Sequence, residues 1–179
     1  MKAEGFTATE AGELLAFGRE AAEATGRIRR WRMAGLLPPA GQDIGGRCAA
    51  FRFDKAQIAV AAVAFWAFDH AGIERREHLA GLITMLSHPR PGGEMALIDA
   101  ILTDIEQDGS PVVVLTRWIN PKGETGLTFE VRLTHELDRP IIAPGDEFQP
   151  IMDGVLSLAP LLDSFVGATV IPFRKREAS

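Results

Sequence analysis

Apolar residues recur at helical spacing through the first half of the chain and alternate with polar ones in part of the second. Phe6, Ala11, Leu14, Leu15 and Phe17 predict a short helix over about residues 8–17. Thr7 or Thr9 can cap it, Glu10 stands three residues after Thr7 as a capping box, and Gly18 closes it. Residues 19–34 are again helical in composition. Gly26 lies inside them, so Arg19 and Thr25 are competing starts, and one long helix or two short ones remain open. Gly35 stops this helix and Pro38-Pro39 prevents its resumption. Residues 40–50 read as a glycine-containing loop, and Phe51-Arg52-Phe53 as a short strand. Asp54 is a good N-cap for an almost wholly apolar helix over 55–71, which Gly72 ends. Leu79, Leu82, Ile83 and Leu86 mark a further helix over 74–86.

Ser87-His88-Pro89-Arg90-Pro91-Gly92-Gly93 then gives the strongest linker signal in the chain. Beyond it, Met95, Leu97, Ile98, Ile101, Leu102 and Ile105 predict an amphipathic helix over 94–107. Residues 112–119 are rich in β-branched side chains and read as a strand, and 120–126 as a hairpin turn. Residues 127–134 alternate with a period of two, the mark of an antiparallel strand with one wet face. Residues 138–145 connect, and 148–166 read as a helix bent or interrupted at Pro160. The expected fold is mainly α with a small α+β second part. A mainly helical domain over 1–88, read below by resemblance as a winged helix-turn-helix, precedes a helix–β-hairpin–helix domain over 94–179.

Composition narrows the function classes. The chain has 179 residues, 46% hydrophobic and 24% charged, enough to build a core without staples. One cysteine, Cys48, excludes an intramolecular disulfide and a cysteine-rich zinc site. The first residues lack a signal-peptide core. The apolar run 56–68 is too short to span a bilayer, and 151–173 is interrupted by Asp153, Pro160 and Asp163. A cytoplasmic protein without a membrane partner is expected. The net charge of −5 is uneven: residues 1–89 carry 11 Lys/Arg against 10 Asp/Glu, and residues 90–179 carry 8 against 14. Arg27, Arg29, Arg30, Arg32, Arg47, Arg52 and Lys55 oppose only Asp43 and Asp54, so the segment 27–55 points to a localised polyanion contact.

In that segment, Ile28-Arg29-Arg30-Trp31-Arg32-Met33-Ala34-Gly35-Leu36-Leu37-Pro38-Pro39 resembles the end of the second helix in MerR-type winged helix-turn-helix domains. Phe51-Arg52-Phe53-Asp54-Lys55-Ala56-Gln57-Ile58 is similar to that family's wing strand and capped third helix. Phe68-Asp69-His70-Ala71-Gly72-Ile73 resembles the turn before its fourth helix. The resemblance covers about residues 6–86. It implies a dimeric, bacterial-type transcriptional regulator on double-stranded promoter DNA, with a recognition helix in the major groove and a wing on the backbone. The seven basic residues named above are the expected DNA contacts. The chain departs from the family in being several residues longer between Glu10 and Ile28. It also lacks tyrosine, the family's metal-sensing cysteine and its long coiled-coil helix.

Other chemistry is thin. Clustered arginines on a helix are most often a solvated face, and it is Gly-Leu-Leu-Pro-Pro with the wing that tips the balance toward DNA. Trp31 and Trp66 suit the core. His70, His78, His88 and His135 lack metal-ligand spacing, and Cys48 reads as a small filler. His135-Glu136-Leu137-Asp138 lacks the second histidine of a zinc protease helix, and neither common phosphate loop is present. No catalytic, cofactor or metal residues are assigned and no enzyme is expected. Residues 94–179 are left for dimerisation, an effector or a protein partner. The alternative is an interaction or small-ligand module whose winged helix no longer binds DNA.

Overall fold

The computed structural model describes residues 5–16, 20–42, 50–70, 73, 75–140, 145, 147–162 and 165, with residues 151–154 described for their backbone alone. Helix α1 spans Ala8–Leu14. Thr7 and Glu10 form the capping box: the Thr7 hydroxyl accepts the Glu10 N–H at 3.2 Å and the Glu10 carboxylate accepts the Thr7 N–H at 2.7 Å. Helix α2, Ala21–Met33, is one continuous helix through Thr25 and Gly26, with Glu20 at its N-cap. Of the two expected starts, Thr25 is thus interior, and Arg19 lies outside the described residues. Gly12 lets the two helices close: a Cβ there would stand 2.1 Å from the Thr25 hydroxyl oxygen and 2.7 Å from its backbone nitrogen.

Gly35 ends α2 at φ +71°, where the Leu36 N–H reaches the Trp31 carbonyl and the Gly35 N–H that of Arg32, both at 2.9 Å. This is a Schellman stop, and glycine takes its left-handed position without a steric penalty. Strands β1 (Gly41–Gln42) and β2 (Phe51–Arg52) then pair antiparallel, Gly41 opposite Arg52. Phe53 continues the pairing onto Phe6, with reciprocal N–H···O bonds of 2.8 Å. That bridge holds the start of α1 beside the hairpin.

Helix α3, Lys55–His70, begins at Asp54, whose carboxylate accepts the Gln57 N–H at 2.7 Å while the Gln57 side chain accepts the Asp54 N–H at 3.0 Å. Residues 58–65 of α3 are buried without a break, as its apolar composition requires. Helix α4 is Arg76–Ser87 and buries Leu79, Leu82, Ile83 and Leu86. Where the linker is expected, the chain turns tightly: Gly93 N–H bonds the Arg90 carbonyl at 2.8 Å, and Leu97 N–H that of His88 at 3.1 Å. Helix α5 follows, Leu97–Glu106. Helices α3, α4 and α5 pack on one another, and buried apolar residues from both sides of the turn form one continuous cluster.

The expected class is overturned here. Instead of a mainly α molecule ending in helix–hairpin–helix, the chain is mixed α and β with two antiparallel sheets, the second of order β4-β3-β5. Strand β3 is Val112–Ile119, β4 Thr125–Arg132 and β5 Gln149–Ser157. The stretch expected as a final helix is thus mostly strand, followed only by a short helix α6, Ala159–Leu162. The reason is physical. Gly154 disfavours a helix interior. Strand β3 buries Val113, Val114, Leu115, Thr116 and Trp118, so its second edge cannot be left unpaired. Strand β5 supplies the missing ladder, Val112 opposite Ser157, with a bulge at Arg117/Trp118. Between β3 and β4, the Asn120 side-chain oxygen accepts the Lys122 and Glu124 N–H groups at 3.0 and 2.9 Å. Beyond β4, the buried Glu136 carboxylate takes Arg90 through both oxygens at 2.6–2.7 Å and Arg139 at 2.7 Å, and Arg90 also donates to the Val131 carbonyl. The α4–α5 turn is thereby pinned to the sheet. No helix of the described residues is long and apolar enough to cross a membrane.

Candidate nucleic-acid interface

Helix α2 has two faces of opposite character. Ala24, Thr25, Arg27, Ile28 and Trp31 are buried, and Trp31 meets the Phe65 ring edge-on at 4.8 Å. Ala22, Glu23, Arg29, Arg30 and Met33 are exposed, with Gly26 half-exposed among them. The helix is fixed on α3 and α4 by polar contacts at its middle and end. Arg27 donates twice to Asp69 at 2.9 Å and once to Glu23 at 3.3 Å, and its guanidinium lies 4.9 and 4.8 Å from the Phe65 and Phe68 ring centres. Arg76 donates to the terminal Ala34 carbonyl at 2.7 Å.

The seven expected contacts therefore separate. Arg29 and Arg30 are exposed and make no ion pair among the described residues. Arg32 stacks its guanidinium 3.9 Å from the centre of the Phe51 ring, which ties the end of α2 to the hairpin. Arg27 faces the core. Arg52 is turned inward, donating to the Gly5 carbonyl at 3.3 Å and the Glu10 carboxylate at 3.4 Å, with its side chain 12% exposed. Lys55 pairs with Glu106 of α5 at 3.9 Å. Arg47 lies outside the described residues, as does Cys48. The structure brings Arg29 and Arg32 together on the cleft against β2, leaves Arg30 exposed further round α2, and commits Arg27, Arg52 and Lys55 to contacts within the chain.

An open cleft of about 540 Å³ runs between the start of α1, the last turn of α2 and β2. Arg29, Arg32 and Met33 line it from α2, Thr7 and Thr9 from the start of α1, and Phe51 and Phe53 from the hairpin side. Sequence reasoning missed Met33 and the threonines as members of this site. The signal for Met33 was present: its helical phase is that of Ala22, Gly26 and Arg29, opposite Ile28 and Trp31. Among the described residues no group of three His, Cys, Asp or Glu side chains can hold a metal ion. No known family, curated protein or solved structure matches this chain.

Proposed function

We propose that this chain is a sequence-specific DNA-binding transcriptional regulator, with α2 as the helix that enters the major groove and the β1–β2 hairpin as the wing on the backbone. One observation carries the reading: Arg29 and Arg30 stand exposed on the outer face of α2 without ion pairs among the described residues, and Arg29 also lines the cleft against β2. An exposed arginine left without a carboxylate in an acidic protein is suited to a phosphate or a guanine edge, both of which it grips bidentately. The resemblance of residues 6–86 to MerR-type domains supports the same assignment. A single helix reaches few base edges, so the regulator acts as a homodimer on paired half-sites, in the cytoplasm where promoter DNA lies.

Fluorescence anisotropy with genomic fragments over a range of salt tests this. The parent binds a subset of fragments with two chains per duplex, and affinity falls steeply with salt. The double variant Arg29→Ala/Arg30→Ala weakens binding and lowers the salt slope by about 0.9 for each phosphate that is no longer neutralised. Equal affinity of parent and variant at every salt concentration would sink the reading. It would favour the alternative, an interaction or small-ligand module, which the apolar lining residues Met33, Phe51 and Phe53 of the cleft support.

A further inference from the structure

Met33 is 77% exposed at the end of α2, although its side chain is mostly apolar; its one polar contact is the thioether sulfur, which accepts from Arg32 Nη2 at 3.4 Å. At about 100° per residue its direction falls between those of Arg29 and Arg30, roughly 40° from the first and 60° from the second. It thus projects from the middle of the exposed face. Ala22 and Gly26 carry nothing beyond a Cβ and allow close approach along the middle of that face, while Glu23, exposed at its edge, is held by Arg27 at 3.3 Å. Arg30 lies back along it, with Nη1 3.4 Å from where a Cβ on Gly26 would stand. The face therefore presents one apolar group between two guanidinium groups. The major-groove edge offers one apolar group of its own, the C5-methyl of thymine, while guanine offers the paired acceptors that arginine prefers.

From this match, and resting on the DNA-binding reading above, we infer that Met33 is a specificity-determining residue that packs on the methyl of a thymine adjacent to a guanine held by Arg29 or Arg30. The thioether side chain is flexible enough to follow the methyl without a fixed pocket. The proposal is tested with the full chain and its tightest-binding genomic fragment, each thymine of the footprint replaced in turn by deoxyuridine, which lacks only that methyl. Binding of the parent weakens about fourfold at one thymine per half-site, the factor that burying one methyl-sized group is worth. Met33→Ala binds the unmodified duplex correspondingly less well and loses all sensitivity to deoxyuridine at that position, whereas Met33→Leu retains it. Because Met33 touches solvent, these variants fold as the parent does, which circular dichroism checks. If deoxyuridine is without effect throughout the footprint while binding persists, the Met33 inference falls and the DNA-binding reading stands. If Met33→Ala keeps the parent's sensitivity, another side chain holds the methyl and the inference falls likewise. If no duplex binds, both fall together.

Discussion

Removing the Arg27 side chain should cost the fold far more than removing its neighbour two positions along. Arg27 and Asp69 keep only 11% and 15% of their side-chain surface exposed, and the guanidinium also lies against two aromatic rings. Arg27→Ala removes from the Asp69 carboxylate the Nη1 that donates to both its oxygens, and leaves the Phe65 and Phe68 faces uncovered. Breaking a buried pair in this way costs about 3–5 kcal/mol. The residual exposure of both groups places the effect at the lower end, near 3 kcal/mol. With a urea dependence of about 2 kcal/mol per molar, the unfolding midpoint falls by roughly 1.5 M. Arg27→Lys lies between, because an ammonium can meet Asp69 but lacks the second nitrogen that reaches Glu23 and the flat guanidinium that lies against Phe65 and Phe68. Arg29→Ala, at an exposed position without an ion pair among the described residues, stays within about 0.5 kcal/mol of the parent. Urea titration followed by circular dichroism measures all three, and a double-mutant cycle with Asp69→Ala isolates the pair from Asp69's other contacts. A midpoint for Arg27→Ala no lower than that for Arg29→Ala would show that this arginine does not fasten α2 to α3.

Gly26→Ala should raise stability by about 0.5–1 kcal/mol, since an alanine fits a helix interior better and the new Cβ meets only the mobile end of Arg30; a lowered melting temperature would contradict this. Glu136 couples stability to pH. Burial alone raises its carboxyl, but the hydrogen bonds from Arg90 and the Leu133 N–H, with the charges of Arg90 and Arg139, outweigh that and hold it below the usual value of 4.5. A carboxyl held low in the folded state contributes stability that is fully present above its unfolded value and disappears as pH falls through the folded one. Acid unfolding of the parent should therefore steepen below about pH 4.5, and Glu136→Gln should be less stable at neutral pH with a flatter profile in that window. Profiles of equal slope would remove Glu136 from the account.

What could be read from the chain alone follows the range of the forces involved. Strand β3 and its hairpin turn were legible because β-branched residues and an Asn-Pro-Lys-Gly turn act locally. The Thr7–Glu10 box and the Gly35 stop were legible for the same reason. Strand β5 was not. Its apolar residues fit a helical count, and what decides for a strand is the open edge of β3, some 30 residues earlier. The sorting of the arginines was half legible. The spacing of Ala24, Arg27, Ile28 and Trp31 already puts Arg27 on the core side of α2 and leaves Arg29 and Arg30 outside. Nothing local reveals that Asp69 waits 42 residues away, or that Glu10 and Glu106 engage Arg52 and Lys55.

Helix α3 has a consequence for any attempt to take the molecule apart. Eight consecutive residues of it are shielded from water, and the shield is drawn from α4 on one side of the 88–97 turn and from α5 and α6 on the other. A cut in that turn leaves α3 covered by α2 and α4 but no longer tied through the chain to α5 and α6, so loss of the second piece bares part of its apolar surface, which then favours self-association. A graft of the first half onto a foreign partner therefore calls for a partner that brings a matching apolar lid.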